Sequence, residues 1–112
     1  MSVKNNWKER VQTELNQAVT ARASGNEGMA RVCARRAVGI LLGEYLSRRG
    51  ITNIGPSATD RIRVFLNLPD ISPAFREMLN HFILHVSPDR SLPGNFDLIA
   101  ESEWLVANLI NE

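Results

Sequence analysis

Apolar residues recur every three or four positions along almost the whole chain and nowhere alternate in the two-residue rhythm of a strand. Trp7, Val11, Leu15 and Ala18 predict a first helix running to about Ala23, with Asn6 and Glu9 three residues apart as its N-terminal capping pair. Ser24-Gly25-Asn26-Glu27-Gly28 interrupts the pattern and offers Ser24 or Asn26 as the next cap, so the first two helices should pack as an antiparallel hairpin. The second helix, about Gly28 to Arg49, is apolar around most of its circumference between Ala37 and Leu46, the signature of an element surrounded by neighbours. Ala30 and Ala34, then Gly39 and Gly43, are small residues four apart that let another backbone come close. Arg48, Arg49 and Gly50 suit its end, where cations favour the helix dipole and glycine accepts a left-handed turn.

Ser57 with Asp60 opens a short third helix carrying Ile62, Phe65 and Leu66 as far as Pro69. Ser72 caps a fourth, with Pro73 at its first position, where a missing N–H costs nothing. Pro88 should close that helix at Val86 or Ser87. Within it Phe75, Leu79, Phe82 and Val86 share a stripe edged by Met78 and Ile83, while Leu84 points nearly opposite, between Arg76/Asn80 and Glu77/His81. Ser87 to Phe96 reads as an irregular loop, longer than a reversal of direction needs. A last helix starts at Asp97, with Leu98, Ile99, Leu105, Val106, Leu109 and Ile110 as its core stripe. Trp104 falls about 170° from the centre of that stripe, beside Ala100 and Ala107. The pattern thus predicts an all-α, single-domain antiparallel helical bundle of four main helices plus one short helix over residues 1–112, with Leu84, Trp104 and Asn80 at an interface.

Composition narrows the class. With 44% apolar and 22% charged residues the chain reads as a soluble globular domain, and its apolar runs are too short to cross a bilayer. The N-terminus has neither an apolar signal region nor a small-residue cleavage site, so a cytoplasmic location is expected. The single Cys33, set among Val32, Ala34 and Ala37, is expected to be a buried structural thiol. Net charge is only +1, with a pI near 8.0, short of the balance of a dedicated nucleic-acid binder. No DNA sequence recognition is indicated. Charge is nevertheless uneven: Arg22 to Arg49 holds six arginines against Glu27 and Glu44, whereas Asp97 to Glu112 holds four acids and no base. Arg31 and Arg35, with Arg36 and Arg49 nearby in sequence, would suit a phosphate or nucleotide, but are expected instead to pair with the acidic last helix, since charge on a central helix is costly unless satisfied.

Chemistry concentrates on the fourth helix. An imidazole can move a proton near neutral pH, which makes His81 a candidate acid–base, and Arg76 can stabilise a phosphorane-like charge, which is the pair a ribonuclease needs. Five residues along one helix also set these side chains about 140° apart, so both reach one substrate atom only if a second chain contributes. Glu77, His81 and His85, each four apart, form a ladder that would hold zinc if neighbouring helices added ligands. Gly25-Asn26-Glu27-Gly28 lacks the preceding strand and the Gly-Lys-Ser/Thr ending of a phosphate loop, and no cofactor motif is present.

Taken together, Glu14-Leu15-Asn16-Gln17-Ala18-Val19 leading through Gly25 to Ala30, Ala34 and Ala37, then Arg76-Glu77-Met78-Leu79-Asn80-His81 and an amphipathic last helix, resemble the HEPN domain family. The resemblance implies a small helical bundle, commonly a homodimer, of the kind found in nucleotidyltransferase-linked toxin–antitoxin systems and RNA-cleaving proteins. It implies a homodimeric binding or regulatory subunit with a partner protein or RNA, or a metal-independent RNA endonuclease in which Arg76 and His81 cleave at the dimer interface. Glu77 stands where catalytic members carry Asn, Asp or His.

Overall fold

The computed structural model describes residues 6–83 and 96–110. These residues form five helices and, among them, no strand: α1 (Trp7–Ala23), α2 (Glu27–Arg48), α3 (Ala58–Leu66), α4 (Pro73–His81) and α5 (Leu98–Leu109). No helix among the described residues is long and apolar enough to cross a membrane.

The α1–α2 hairpin forms as its sequence predicts. Asn26 is the cap of α2, its side chain accepting the Met29 amide at 3.0 Å, and Gly25 takes φ +81° in the turn, a conformation that glycine adopts without a steric penalty. Asn6 sits at the start of α1, but its side chain makes no capping bond, so the predicted pair with Glu9 does not form; only the Asn6 carbonyl is used, by the Arg10 amide. Arg22 fastens the turn. It grips both Glu27 oxygens at 2.7 and 3.0 Å and reaches Asp97 at the start of α5, also at 3.0 Å.

α2 is the axis of the fold, packed against α1, α3 and α5. Its apolar circumference explains this: Ala30, Cys33, Ala34, Ala37, Val38, Leu41, Leu42 and Leu46 are all buried. Each of the buried leucines contributes roughly 1.5–3 kcal/mol of transfer free energy. Small residues set how closely the neighbours approach. A Cβ on Gly39 would lie 2.8 Å from the Ala58 Cβ, so the first turn of α3 rests directly on the α2 backbone. One turn on, a Cβ on Gly43 would lie 2.5 Å from Arg61 Nη1, which crosses α2 to donate to the Gly39 carbonyl at 3.0 Å. Where α5 crosses α2, Ser102 takes the place of an apolar residue. It is fully buried, and its hydroxyl meets the Ala34 and Leu98 carbonyls at 3.3 and 2.8 Å.

The predicted pairing of the α2 arginines with the acidic last helix holds for neither Arg35 nor Arg49. Arg35 donates to the Phe82 carbonyl at 2.7 Å, and Arg49 grips Asp70, with a further bond to Tyr45. Arg36 is exposed. Arg22, on α1, reaches Asp97 at the start of the last helix. Arg35 is drawn elsewhere because α4 ends beside it: burial, with Arg31 nearby, pulls its guanidinium below the usual arginine value, and a backbone carbonyl offers partial compensation.

Candidate functional site at the α4–α5 seam

α4 has nine residues, too few to hold a helix on local propensity alone, and its position comes from three neighbours. Its start is as predicted, with Pro73 at the first position and the Ser72 hydroxyl accepting the Phe75 amide at 3.4 Å. Its end is earlier than Val86. The helix stops at His81, and the Phe82 and Ile83 amides turn back to carbonyls only three residues earlier. The Phe82 carbonyl, which a continuing helix would offer to the amide four residues on, is taken by Arg35.

Arg76 braces α4 against α3. Its Nη1 and Nη2 donate to the Leu66 and Leu68 carbonyls at 2.6 and 3.2 Å, and Leu66 is the last residue of α3, whose closing carbonyls lack helical partners. The fork of the guanidinium fits this pair of acceptors as a single ammonium would not.

On the α5 side, two contacts fix an antiparallel crossing. Phe75 packs on Trp104 with ring centroids 5.4 Å apart, and His81 Nδ1 lies 2.9 Å from Glu101 Oε1. The His81 and Glu101 side chains are only 15% and 17% exposed, and the imidazole is stacked on Phe96 at 3.5 Å with 12° between the rings. A carboxylate at Nδ1 selects the tautomer that carries its proton there and leaves Nε2 as the acceptor. When the ring is protonated the same contact becomes an ion pair. The couple is therefore fit for general acid–base work.

The sequence-predicted residues thus part company. Arg76 is turned to the end of α3 and His81 to α5, so one chain does not assemble them into a cleavage pair. Glu77 and Asn80 are exposed, while Leu84 and His85 lie outside the described residues, as do the expected end of α4 at Val86 and most of the expected loop. Among the described residues no three His, Cys, Asp or Glu side chains are grouped to hold a metal ion. Trp104 remains 38% exposed, with one side of its ring on Phe75. Glu101 and Phe96, the partners of His81, carried no signal in the sequence. They are separated from it by 20 and 15 positions, and Glu101 is there only one of the four acids between Asp97 and Glu112. No family model, curated protein or solved structure matches the chain.

Proposed function

We propose that the chain is a HEPN-like helical binding subunit that pairs with a second copy of itself across the α4–α5 seam. The observation that carries this reading is Trp104, held on Phe75 and yet more than a third exposed. A large ring fixed in place loses little conformational freedom when it is covered, which is why such anchors dominate interfaces. The hairpin of Ala-rich helices followed by α4 and α5 is the order the HEPN resemblance implies. Arg76 supports a binding role over a catalytic one, because its fork is engaged with the Leu66 and Leu68 carbonyls. Sedimentation velocity at tens to hundreds of micromolar tests the proposal, those concentrations spanning the affinity of a weak dimer. A dimer is expected, and a monomer throughout overturns the proposal.

A second reading, a metal-independent RNA endonuclease, draws on the His81–Glu101 couple. In it Nε2 takes the proton of a ribose 2′-hydroxyl and returns one to the leaving oxygen, and the charge on phosphorus is met by a cation other than Arg76 of the same chain. Incubating the protein with single-stranded and structured RNA in a chelator tests it. Cleavage abolished by His81→Ala supports the reading, and cleavage that survives this change, or none from the wild type, removes it.

A further inference from the structure

Away from the α4–α5 seam, α1, α2 and α3 meet around a surface cleft of about 250 Å³ whose lining includes Arg10, Glu14, Arg36 and Arg61, closed by Ile40 and Pro56. Each helix supplies one arginine. Arg61 is held in place by the Gly39 and Gly55 carbonyls, at 3.0 and 3.1 Å, so its charge is fixed at the cleft. Arg10 and Arg36 are exposed, and neither side chain makes a hydrogen bond or ion pair among the described residues. Glu14 adds the opposite feature: its Oε1 is buried and meets no donor among the described residues. A second cleft of about 240 Å³ shares Arg10, Ile40 and Arg61 with the first and extends to Trp7.

Three cations and one carboxylate give the first cleft two more positive than negative charges. That surplus matches a phosphate monoester dianion better than a diester, which carries one charge. The Glu14 carboxylate, which lines the cleft and is met by no donor among the described residues, adds an acceptor for an N–H group and would repel a bare phosphate oxyanion. We propose that this cleft binds a nucleoside monophosphate with an amino-bearing base, the phosphate gripped by Arg10 and Arg36 beside the fixed Arg61 and the amine donating to Glu14. At about 250 Å³ the cleft is smaller than most ligand sites, room for part of one such ligand with the remainder in solvent. The inference is independent of the proposed dimer.

Isothermal titration of the whole chain with AMP, adenosine, inorganic phosphate and a 5′-hydroxyl oligoribonucleotide tests it. AMP should bind about tenfold or more tighter than adenosine or phosphate, since each of those lacks one half of the recognition. Arg10→Gln and Arg36→Gln, both at exposed positions, should each weaken AMP by about tenfold. Glu14→Met should weaken AMP yet strengthen inorganic phosphate, because it removes both an acceptor and a repelling charge. Binding of AMP should persist in Trp104→Glu, which separates this cleft from the dimer. No heat with AMP at about 1 mM, AMP binding untouched by both arginine changes, or preference for the oligonucleotide overturns the proposal. Should Glu14→Met fail to fold, the two arginine variants still decide it.

Discussion

Replacing Arg76 separates a structural from a catalytic role for the residue that a ribonuclease reading would place first. Arg76→Met keeps the apolar stem and removes both donors to the Leu66 and Leu68 carbonyls. A hydrogen bond from a charged group contributes about 1.5–3 kcal/mol. The 2.6 Å bond to Leu66 belongs near that range, whereas the 3.2 Å bond to Leu68 is weaker. Asn67, between the two acceptors, is exposed, so water can reach part of the freed carbonyl surface. The net loss should therefore be about 2 kcal/mol, or roughly 8 °C in Tm for a domain of this size. Thermal and urea denaturation followed by circular dichroism at 222 nm measure it. Arg76→Lys should recover no more than about half, because an ammonium lacks the fork that reaches two carbonyls. A Tm for Arg76→Met within about 1 °C of wild type would refute the reasoning and leave Arg76 free for other work.

Gly39→Ala should destabilise by about 1–3 kcal/mol in urea titrations, since its new Cβ meets Ala58 Cβ and Cα at 2.8 and 3.0 Å and α3 must move away from α2. Ser102→Ala, which removes only the hydroxyl and with it the bonds to the Ala34 and Leu98 carbonyls, should cost about 1–2 kcal/mol by the same assay. Burial alone would raise the Asp97 carboxyl, but the Ala100 amide, Arg22 and the Ile99 amide together hold it below the usual range. Its contribution is thus full above the ordinary carboxylate value and lost as pH falls through the lower native one, so the stability gap between wild type and Asp97→Asn should be constant above about pH 5 and shrink below about pH 4. Burial pushes the Cys33 thiol up, with Glu14 adding to the shift and Arg36 opposing it, so a thiol reagent at pH 8 should label the native protein far more slowly than the protein in urea.

The helices were legible because their signals are local. Trp7, Val11, Leu15 and Ala18 are the four buried positions of α1, and the apolar girth of α2 announced a helix with neighbours on several sides. Ser57, Ser72 and Asp97 cap the helices they precede, each with a side-chain oxygen accepting amides of the first turn. What failed was decided across the fold. The Phe82 carbonyl just past the end of α4 is met by Arg35, more than forty positions away, which no window around Phe82 contains. The charge surplus on α2 suggested partners on the last helix, yet Arg35 and Arg49 were nearer to a carbonyl and to Asp70, and sequence carries no such distances. The site divides in the same way. Spacing placed Arg76 and His81 on different sides of one helix, and the structure shows what each side meets: the end of α3 for Arg76, and Glu101 and Phe96 for His81. Trp104 was singled out by its angle from the core stripe, but its packing on Phe75 was not, since Phe75 read as a core residue of α4.

The proposed pairing of two copies across the α4–α5 seam is tested most directly by ¹⁹F NMR of protein carrying 5-fluorotryptophan, because the chain has two tryptophans in contrasting settings. Trp7 is buried in the core at 5% exposure, and Trp104 is exposed at the seam. As protein concentration rises from about 10 to 500 µM, a range that brackets a weak dimer, the Trp104 resonance should shift or broaden while that of Trp7 stays fixed. A Trp104 signal that does not change, in a sample shown to be dimeric at the upper concentration, would place the interface elsewhere and contradict the proposal.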